Sequence, residues 1–427
     1  MTEPIISIGI VSAKNIAFEL KGDFLFCGNK VSGEKKLCFE AGKITFDELS
    51  FDEIIFEPKD DNSSFVLKNV MIGIEFHWQQ TENQEFRGAL KFIVEDNQIT
   101  AINLIHVEEY LTSVISSEMS ANASLELLKA HAVISRSWLL ANLKDNLKHK
   151  ITNNSQLLHS DSRIIKWYER DAHTAYDVCA DDHCQRYQGI TRSTNPVVFQ
   201  AIKETYGETL MFNNEICDTR FSKCCGGASE SFENCWADEH HDYLTKVIDC
   251  EEGREEDLSI EENARKWIST EIDAFCNTKD KQILSQVLNN YDQSTSDFFR
   301  WKTVYTAQEI SDIVKKRSGI DFGIIIDLIP VRRGESGRIV ELQIVGEKQT
   351  VIVGKELEIR KWLSDTHLYS SAFVVEKTEN GFTLHGSGWG HGVGLCQIGA
   401  AVMGEQGYNY QQILAHYFRN TYLERIY

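Results

Sequence analysis

A run of closely spaced glycines near the C-terminal end constrains this chain more than any other feature. From Gly386 to Gly394 every second residue is glycine, and Trp389 and His391 stand between glycines. Glycine loses more backbone entropy on folding than any other residue, so dense glycine is unfavourable in a regular helix or strand. The run therefore predicts an unusual turn or a close approach to the backbone, and it marks a candidate site.

The spacing of these glycines argues against a nucleotide-binding loop. It does not fit G-x-G-x-x-G, and no Lys-Ser or Lys-Thr pair follows it as in a Walker loop. Trp389 instead offers a flat apolar face of the kind that packs on a sugar ring, and His391 could lie on the floor of a groove. Two alternatives stay open: a glycine-rich corner with Trp389 in the core, and a thiol nucleophile at Cys396 with His391 as its base.

Composition excludes several classes of function. The net charge of -20 disfavours nucleic acid as a partner, and also anionic membrane surfaces, because phosphate groups require clustered Lys and Arg. No segment reaches the roughly 18 apolar residues of a membrane span, so no transmembrane segment is predicted. The apolar stretch 5–11 lacks a basic flank and a cleavage site, which favours a strand over a signal peptide. Residence inside the cell and removal of a leader both remain open.

The order of predicted elements favours an α+β fold, with mixed β-sheets and a buried helix that carries the site. Strand-like segments fall at 5–11, 17–20, 24–26, 65–67, 72–78 and 90–95. Helices are predicted at 108–115 and at 124–143, where Asn122 or Ser124 can cap the second helix. We expect a β-rich N-terminal domain at 1–100, a core at 101–250 and 319–427, and an acidic helical insertion at 251–318.

A lone glutamate precedes the longer helix. Glu118 stands in a Ser-Glu-Met segment beside Val114, Ile115 and Met119. A carboxyl group among apolar neighbours is desolvated, and this environment suits a general acid. The alternative is a carboxylate that stabilises the helix N-terminus, although Glu118 lies several residues before the predicted helix.

Four metal-ligand residues follow within twelve positions: His173, Cys179, His183 and Cys184. Two Cys and two His suit tetrahedral zinc, although the spacing is not that of a C2H2 finger. The alternatives are a disulfide, or separate thiols with surface histidines. Eleven cysteines cannot all pair within the chain, and seven of them fall between positions 179 and 250.

A Cys-Cys-Gly-Gly segment at 224–227 follows a predicted short strand. Its turn could present Arg220 or Ser222 to a cleft, and a plain β-turn is the alternative. The neighbouring cysteines at 217, 235 and 250 could form disulfides in an oxidising compartment.

Together these segments resemble the SpoIID/LytB family, the stage II sporulation protein D and amidase-enhancer proteins of bacterial cell-wall biology. The resemblance rests on 110–140 with its Ser-Glu-Met, 173–189, 221–227 and the glycine run at 386–400, and it extends weakly over 301–363. It implies a lytic transglycosylase that cleaves denuded peptidoglycan glycan strands and leaves 1,6-anhydro-muramyl ends. The alternative within the family is a non-catalytic, glycan-binding amidase enhancer.

The resemblance also implies roles for individual residues. Glu118 would be the catalytic acid, and His173, Cys179, His183 and Cys184 would bind a structural Zn²⁺. The substrate-binding candidates are Arg136, Arg220, Ser222, Trp389, His391 and Gln397. Peptidoglycan glycan strands and a cell-wall amidase are the implied partners, and an extracytoplasmic location is implied, with the cytoplasm as the alternative. Cys396 departs from the many relatives that carry Ser at this position.

Overall fold

A computed structural model describes residues 2–72, 80–120, 123–149, 157–160, 162–167, 173–181, 183–191, 195–253, 256–287 and 297–427, with side chains omitted at 145–149 and 157. The fold is α+β, as predicted, with a β-rich N-terminal region. Most of the predicted strand 72–78, and the candidate cap Asn122, lie outside the described residues. Ser124 occupies the position before the second helix, and its hydroxyl accepts a hydrogen bond from the Leu127 backbone at 3.4 Å.

The N-terminal region is built from antiparallel strands. They are β1 Ile5–Ala13, β2 Asn15–Phe26, β3 Asn29–Glu40, β4 Lys43–Phe46, β5 Leu49–Phe51, β6 Glu53–Pro58, β7 Ser64–Ile72, β8 Gln80–Phe86, β9 Ala89–Glu95 and β10 Gln98–His106. The described strands of the sheet run in the order β13-β1-β10-β9-β6-β2-β3-β4-β5, where β13 is the later strand Val178–Cys179, and β7 joins β2 to β8. Alternating buried positions supply a core of phenylalanines, including Phe18, Phe56 and Phe92.

Helices and short strands follow. They are α1 Val107–Glu118, α2 Leu125–His149, β11 Leu157–Ser160, β12 Arg163–Lys166, β13 Val178–Cys179, α3 Pro196–Glu204, β14 Glu208–Phe212, β15 Glu215–Ile216, β16 Phe221–Ser222, α4 Glu261–Ser269 and α5 Lys281–Val287. Helix α2 is buried against α1, α3 and two C-terminal helices, α8 Gln397–Glu405 and α9 Tyr410–Tyr417. Small residues such as Ala130 and Ala132 let these helices approach. Asn195 caps α3 by accepting from the Val197 backbone at 3.0 Å, and Pro196 stands at its first position.

The C-terminal part completes the core. Its elements are β17 Arg300–Thr306, α6 Ala307–Ser318, β18 Ile325–Arg333, β19 Ile339–Gly346, β20 Thr350–Gly354, α7 Glu356–Trp362, β21 Phe373–Thr378, β22 Gly381–Ser387, β23 Leu395–Cys396, α8 Gln397–Glu405, α9 Tyr410–Tyr417 and β24 Tyr422–Arg425. Capping boxes start α6 at Thr306 and α9 at Asn409.

The stretch 251–318 is less uniform than the predicted helical insertion. It carries α4, α5 and α6, but it also carries β17, which pairs with β22 in a three-stranded sheet. Strand β22 leads directly into the glycine run. The sequence analysis missed both strands, because glycines at 381 and 386 do not favour a strand and the acidic composition of 251–318 hid β17.

Candidate functional site

The glycine run forms a loop between β22 and β23. Gly388, Gly390, Gly392 and Gly394 all have φ between +73° and +93°. This left-handed conformation is unfavourable for residues with a side chain, so the alternation of glycine with other residues is a backbone requirement. Space is short as well: a Cβ on Gly392 would lie 2.4 Å from the Arg338 guanidinium carbon.

Arg338 holds this loop from beneath and is fully buried. Its guanidinium donates to the Gly390 carbonyl at 3.2 and 3.3 Å and to the Cys225 carbonyl at 3.2 Å. The sequence analysis noted Arg338 only as part of a weak resemblance. Several charged residues surround Arg338 in the sequence, so nothing there distinguishes it from a surface residue.

Trp389 is half-buried on the loop. Its backbone N–H and C=O both pair with Cys224, at 2.8 and 3.1 Å. Its ring stacks on Phe298, with centroids 4.8 Å apart and planes 18° apart, and Tyr369 packs edge-on at 5.0 Å. Since Phe298 covers one face of the indole, only the partly exposed remainder is available to a sugar ring.

His391 packs against Arg220 and Trp236. The Trp236 ring lies 4.9 Å from the imidazole, and the Arg220 guanidinium lies 4.4 Å from the Trp236 ring centroid. Burial, followed by the positive charges of Arg220 and Arg338, lowers the pKa of His391 well below its usual value, so the ring is neutral at pH 7. Nδ1 accepts from the Val393 backbone at 3.0 Å and the ring also hydrogen-bonds the Phe221 backbone, so both nitrogens have protein partners.

Three polar atoms beside the loop have no hydrogen-bond partner among the described residues: Ser222 Oγ, Arg220 Nε and Trp236 Nε1. Ser222 pairs with Cys396 across the parallel strands β16 and β23. Arg220 keeps an ion pair with Asp218 at 2.7 Å, which fixes its guanidinium. Buried polar atoms are normally satisfied, so water or a bound ligand is the natural partner for this group.

Glu118 is the last residue of α1 and precedes α2, which begins at Leu125. Its side chain is half-buried, and Oε1 accepts a hydrogen bond from the Arg186 backbone N–H at 3.3 Å. In the parts of the chain that the structure describes, no hydrogen bond or ring contact joins Glu118 to Trp389 or His391. Helix α5 links the end of α1 to the segment beside the glycine loop. The Ser120 backbone N–H donates to the Gln286 carbonyl, and Lys223 Nζ donates to the Val287 carbonyl.

The four predicted metal ligands converge at one place, which we call the His/Cys cluster: His173, Cys179, His183 and Cys184. Their ligand atoms all lie within 4.8 Å of one another. Cys184 Sγ lies 3.5 Å from His173 Nε2 and 3.5 Å from His183 Nδ1, and Cys179 Sγ lies 3.9 Å from His183 Nδ1. Ligands at about 2.0–2.3 Å from a tetrahedral ion are separated by about 3.3–3.8 Å, so this group could hold a metal ion.

The segment that follows the His/Cys cluster packs along α1. Gln185 accepts from the Tyr110 hydroxyl at 3.3 Å and donates to the Ser135 carbonyl at 3.3 Å. The Gln188 backbone donates to Ser113 Oγ at 3.2 Å. The hydrogen bond to Glu118 therefore comes from a segment that begins at a ligand of the His/Cys cluster, two residues away.

Two predicted substrate-binding residues are corrected by the structure. Arg136 is 0% exposed and forms a bidentate pair with Glu108, at 2.6 and 2.8 Å, so it is part of the core. Gln397 is 1% exposed, and its amide bonds to His131 Nε2 at 3.1 Å. Neither side chain is accessible to a glycan, because α2 and the start of α8 are covered on all sides. The sequence alone could not reveal this burial.

The cysteine–histidine hydrolase is also disfavoured. Cys396 is fully buried, and its sulfur accepts from the Cys225 backbone at 3.2 Å. No hydrogen bond joins this thiol to the His391 ring among the described residues. All eleven cysteines are free thiols, so the disulfides considered for 217, 235 and 250 are not formed in this structure.

A buried glutamate completes the loop's support. Glu230 is 0% exposed and accepts hydrogen bonds from Asn234, from the Ser336 hydroxyl and from the backbone N–H groups of Glu335 and Ser336. Its own backbone N–H donates to the Gly392 carbonyl at 2.9 Å. The sequence analysis passed over Glu230, since one acidic residue after a Gly-Gly turn carries no distinguishing pattern.

Comparison with known proteins agrees with this geometry. A family model described as "Stage II sporulation protein", SpoIID, matches residues 95–212, which contain α1, α2 and the His/Cys cluster. This part of the chain is thus similar to the SpoIID family. A second family model, described as a domain of unknown function (DUF8618), matches residues 230–394, which end within the glycine loop.

Individual proteins with similar sequences support the resemblance to the SpoIID/LytB family. Stage II sporulation protein D of Bacillus subtilis is 22% identical over 75% of this chain and 75% of its own length. An amidase enhancer of Bacillus subtilis is 24% identical over 73% of this chain but only 40% of its own length. An uncharacterized protein of Brachyspira hyodysenteriae is 25% identical over 79% of this chain and 72% of its own length. The resemblance to the SpoIID/LytB family is thus confirmed.

Among the residues described, no helix is both long enough and apolar enough to cross a membrane.

Proposed function

We propose that this SpoIID-family protein is a lytic transglycosylase that cleaves denuded peptidoglycan glycan strands, with Glu118 as its single acid and base. The observation that carries the proposal is the position of Glu118. Its half-buried carboxylate ends α1 and accepts a backbone hydrogen bond from Arg186, directly after the His/Cys cluster. One positioned carboxyl group is sufficient for this reaction.

The proposed chemistry uses the same carboxyl group twice. The Glu118 carboxylic acid donates its proton to the glycosidic oxygen, and the bond from that oxygen to the anomeric carbon breaks. The carboxylate then removes the proton from the C6 hydroxyl of the same sugar, whose oxygen bonds to the anomeric carbon. The products are a free hydroxyl end and a 1,6-anhydro end, and Glu118 regains its proton. Ordinary glycoside hydrolysis needs a second carboxylate, which this route avoids.

We further propose that the His/Cys cluster holds a structural zinc ion. His173, Cys179, His183 and Cys184 supply two nitrogens and two sulfurs, the donor set that zinc prefers. Four protein ligands would leave no open position, so zinc would supply rigidity and no chemical step. That rigidity would be transmitted to Arg186 N–H and hence to the orientation of Glu118.

The substrate would extend from Glu118 toward the glycine loop. Trp389 keeps a partly exposed edge there, and His391 contributes a neutral ring. Arg220 and Ser222 carry unpartnered polar atoms just below the surface, which a bound water beside the glycan could satisfy. In this proposal the muramyl carboxylate pairs with Arg220, and Arg136 and Gln397 have no part.

The proposal places the protein with its substrate, outside the cytoplasm, at the peptidoglycan. It also retains the predicted division of the chain into an N-terminal domain at 1–100, a core at 101–250 and 319–427 that carries the site, and an insertion at 251–318. The SpoIID match at 95–212 begins close to the proposed boundary.

The test is to incubate the purified protein with denuded glycan strands and to identify the new ends by mass spectrometry. We expect 1,6-anhydro ends with the wild type and none with Glu118→Gln. Glu109→Gln is the matched control, because Glu109 is an exposed residue of the same helix α1. Equal zinc content and equal melting temperature in both variants would show that the loss is chemical.

An amidase enhancer is the second candidate, because the matched Bacillus subtilis relative bears that name. In this case the chain would bind glycan and stimulate a cell-wall amidase without cleaving the strand. Glycan binding with no new ends, together with faster amidase turnover that survives Glu118→Gln, would favour the enhancer over the transglycosylase.

A further inference from the structure

A second group of metal-ligand side chains lies in the interior, behind the glycine loop. It consists of Cys225, Asp249, Cys276 and Cys396, whose ligand atoms all lie within 4.8 Å of one another. We call it the buried cluster. Its members come from four separate segments: the Cys-Cys-Gly-Gly turn, the loop that contains Asp249, the turn at 275–276, and the residue that precedes α8. Sequence motifs offer no spacing rule for such a set, because successive members stand 24, 27 and 120 positions apart.

The distances suit one ion. Cys225 Sγ and Cys276 Sγ are 3.6 Å apart, and Cys396 Sγ lies within hydrogen-bonding reach of the thiols of Cys225 and Cys276. A zinc–sulfur bond of about 2.3 Å separates two sulfurs of a tetrahedral site by about 3.8 Å. Thiolates that bind different iron atoms of an iron–sulfur cluster lie farther apart, so the spacing favours a mononuclear ion.

The carboxylate of Asp249 is oriented toward the thiols. It is 1% exposed, and the Tyr417 hydroxyl donates to Oδ1 at 2.6 Å while the Cys276 backbone N–H donates to Oδ2 at 3.0 Å. Metal-bound carboxylates are typically held by hydrogen bonds of this kind. The His416 ring stands beside this carboxylate without forming a close pair, since its Nε2 is 3.9 Å from Oδ1 and has no hydrogen-bond partner among the described residues.

The sulfurs have a comparable surrounding. The Cys225 backbone N–H donates to Cys396 Sγ at 3.2 Å, an interaction that stabilises a thiolate. Arg300 lies close enough to interact electrostatically with Cys225 and Cys276, and it is fixed by hydrogen bonds to the Gly226 carbonyl at 3.3 Å and to Ser387 Oγ at 2.8 Å. A buried carboxylate is costly unless something compensates its charge, and a divalent cation does so while taking the neighbouring thiols as thiolate ligands.

We propose that Cys225, Asp249, Cys276 and Cys396 bind a second zinc ion, separate from the His/Cys cluster. Three sulfurs and one oxygen form a closed tetrahedral set, so the ion is structural. It joins the Cys-Cys-Gly-Gly turn to the C-terminal end of the glycine loop and anchors the 251–318 segment to both. Soft thiolate ligands select zinc over magnesium or calcium. This inference does not depend on the proposed enzymatic function.

Cys224 is the closest competitor for the fourth position, because its thiol also lies near those of Cys276 and Cys396. Its backbone pairs with Trp389 on the loop side, while Asp249 Oδ and the other three ligands meet the common 4.8 Å limit. The Cys224 thiol is not among the four ligand atoms that meet this limit together. We therefore assign Asp249.

The test begins with the wild-type full chain, purified with zinc present and then freed of loosely bound metal. Elemental analysis should give about two zinc per chain, and zinc X-ray absorption should give an average of about 2.5 sulfur ligands per zinc. One zinc with about two sulfurs would overturn the proposal. So would a second metal that proves to be iron, or a disulfide between Cys225 and Cys276 in the unreduced protein.

Variants then separate the two sites. Cys276→Ser should remove one zinc and leave a bound zinc with about two sulfurs, whereas Cys184→Ser should leave a zinc with about three. Cys217→Ser is the matched control, since Cys217 is equally buried and belongs to neither cluster, and it should keep both ions. Loss of zinc in Cys224→Ser but not in Asp249→Asn would overturn the assigned ligand set. If Cys276→Ser does not fold, the wild-type stoichiometry and absorption still decide.

Discussion

The His/Cys cluster and the buried cluster contain similar donors but occupy opposite environments. In the first, His183 is exposed and the other three residues are half-buried, whereas all four members of the second are buried. The first lies beside Glu118, and the second lies behind the glycine loop. The His/Cys cluster borders the segment that contacts the proposed acid, so we expect it to govern activity. The buried cluster joins distant segments of the chain, so we expect it to govern stability.

Three hydrogen bonds, joined through neighbouring residues of the chain, connect the two clusters across α2. From Cys184 the connection passes through Gln185 to Ser135, then from Ser135 Oγ to His131 Nδ1 at 3.2 Å, and from His131 Nε2 to Gln397, next to Cys396. The buried His131 is thus a shared support. The comparison can be sharpened by perturbing either cluster, the acid or this link.

The largest effect is expected at the proposed acid. Glu118→Gln removes the transferable proton, and we expect the rate of 1,6-anhydro end formation to fall by about 10²- to 10⁴-fold. Product formation on denuded glycan measures this, with Glu109→Gln as control. A variant that keeps more than about a tenth of the wild-type rate would show that another group supplies the proton.

The buried cluster should dominate stability. Cys276→Ser would remove a ligand from a closed site, and we expect the free energy of unfolding to fall by more than about 4 kcal/mol, as is typical of losing a structural metal. Denaturant unfolding measures this change. Cys217→Ser should cost only about 1 kcal/mol, and equal losses in the two variants would contradict the distinction between them.

The link between the clusters predicts a pH dependence. Burial lowers the pKa of His131 to about 3, from 6.5 in the unfolded chain, so the unfolded state binds more protons between these values. The stability from this residue is present above pH 6.5 and decreases as the pH falls toward 3. We expect on the order of 3 kcal/mol to be lost between pH 7 and 4. His131→Gln should flatten this part of the profile, measured by denaturant unfolding at each pH, and an unchanged slope would refute the assignment.

The His/Cys cluster should affect the rate more than the fold. Cys184→Ser is expected to reduce formation of 1,6-anhydro ends by roughly 10- to 100-fold, because Arg186 N–H would no longer be held against Glu118. Its cost in unfolding free energy should be smaller than that of Cys276→Ser. If Cys184→Ser retains the full rate after its zinc is lost, the coupling to Glu118 is absent.

The same comparison explains what the sequence could predict. The His/Cys cluster was visible because its ligands lie within twelve residues, and local spacing is a property of sequence. The buried cluster joins Cys225 to Cys396, and only the pairing of β16 with β23 brings these two positions together. Long-range contacts of this kind leave no periodic signal in a single chain.

Burial of polar residues was the second limit. The α+β class, α1 and most of α2 were predicted, because apolar periodicity marks α2 clearly. Arg136 and Arg338 carry the same charge and both are buried, but one pairs with Glu108 in the core and the other supports the glycine loop. Their roles depend on which carboxylate or carbonyl the fold places opposite them, and sequence does not specify that.

The most direct measurement of the central claim is to run the wild-type reaction on denuded glycan in water enriched in ¹⁸O and to weigh the new ends. If the C6 hydroxyl attacks after Glu118 has protonated the glycosidic oxygen, the new anhydro ends contain no ¹⁸O and are lighter by one water molecule than hydrolytic ends. Ends that carry ¹⁸O, or no new ends with any preparation that contains its full zinc, would contradict the account.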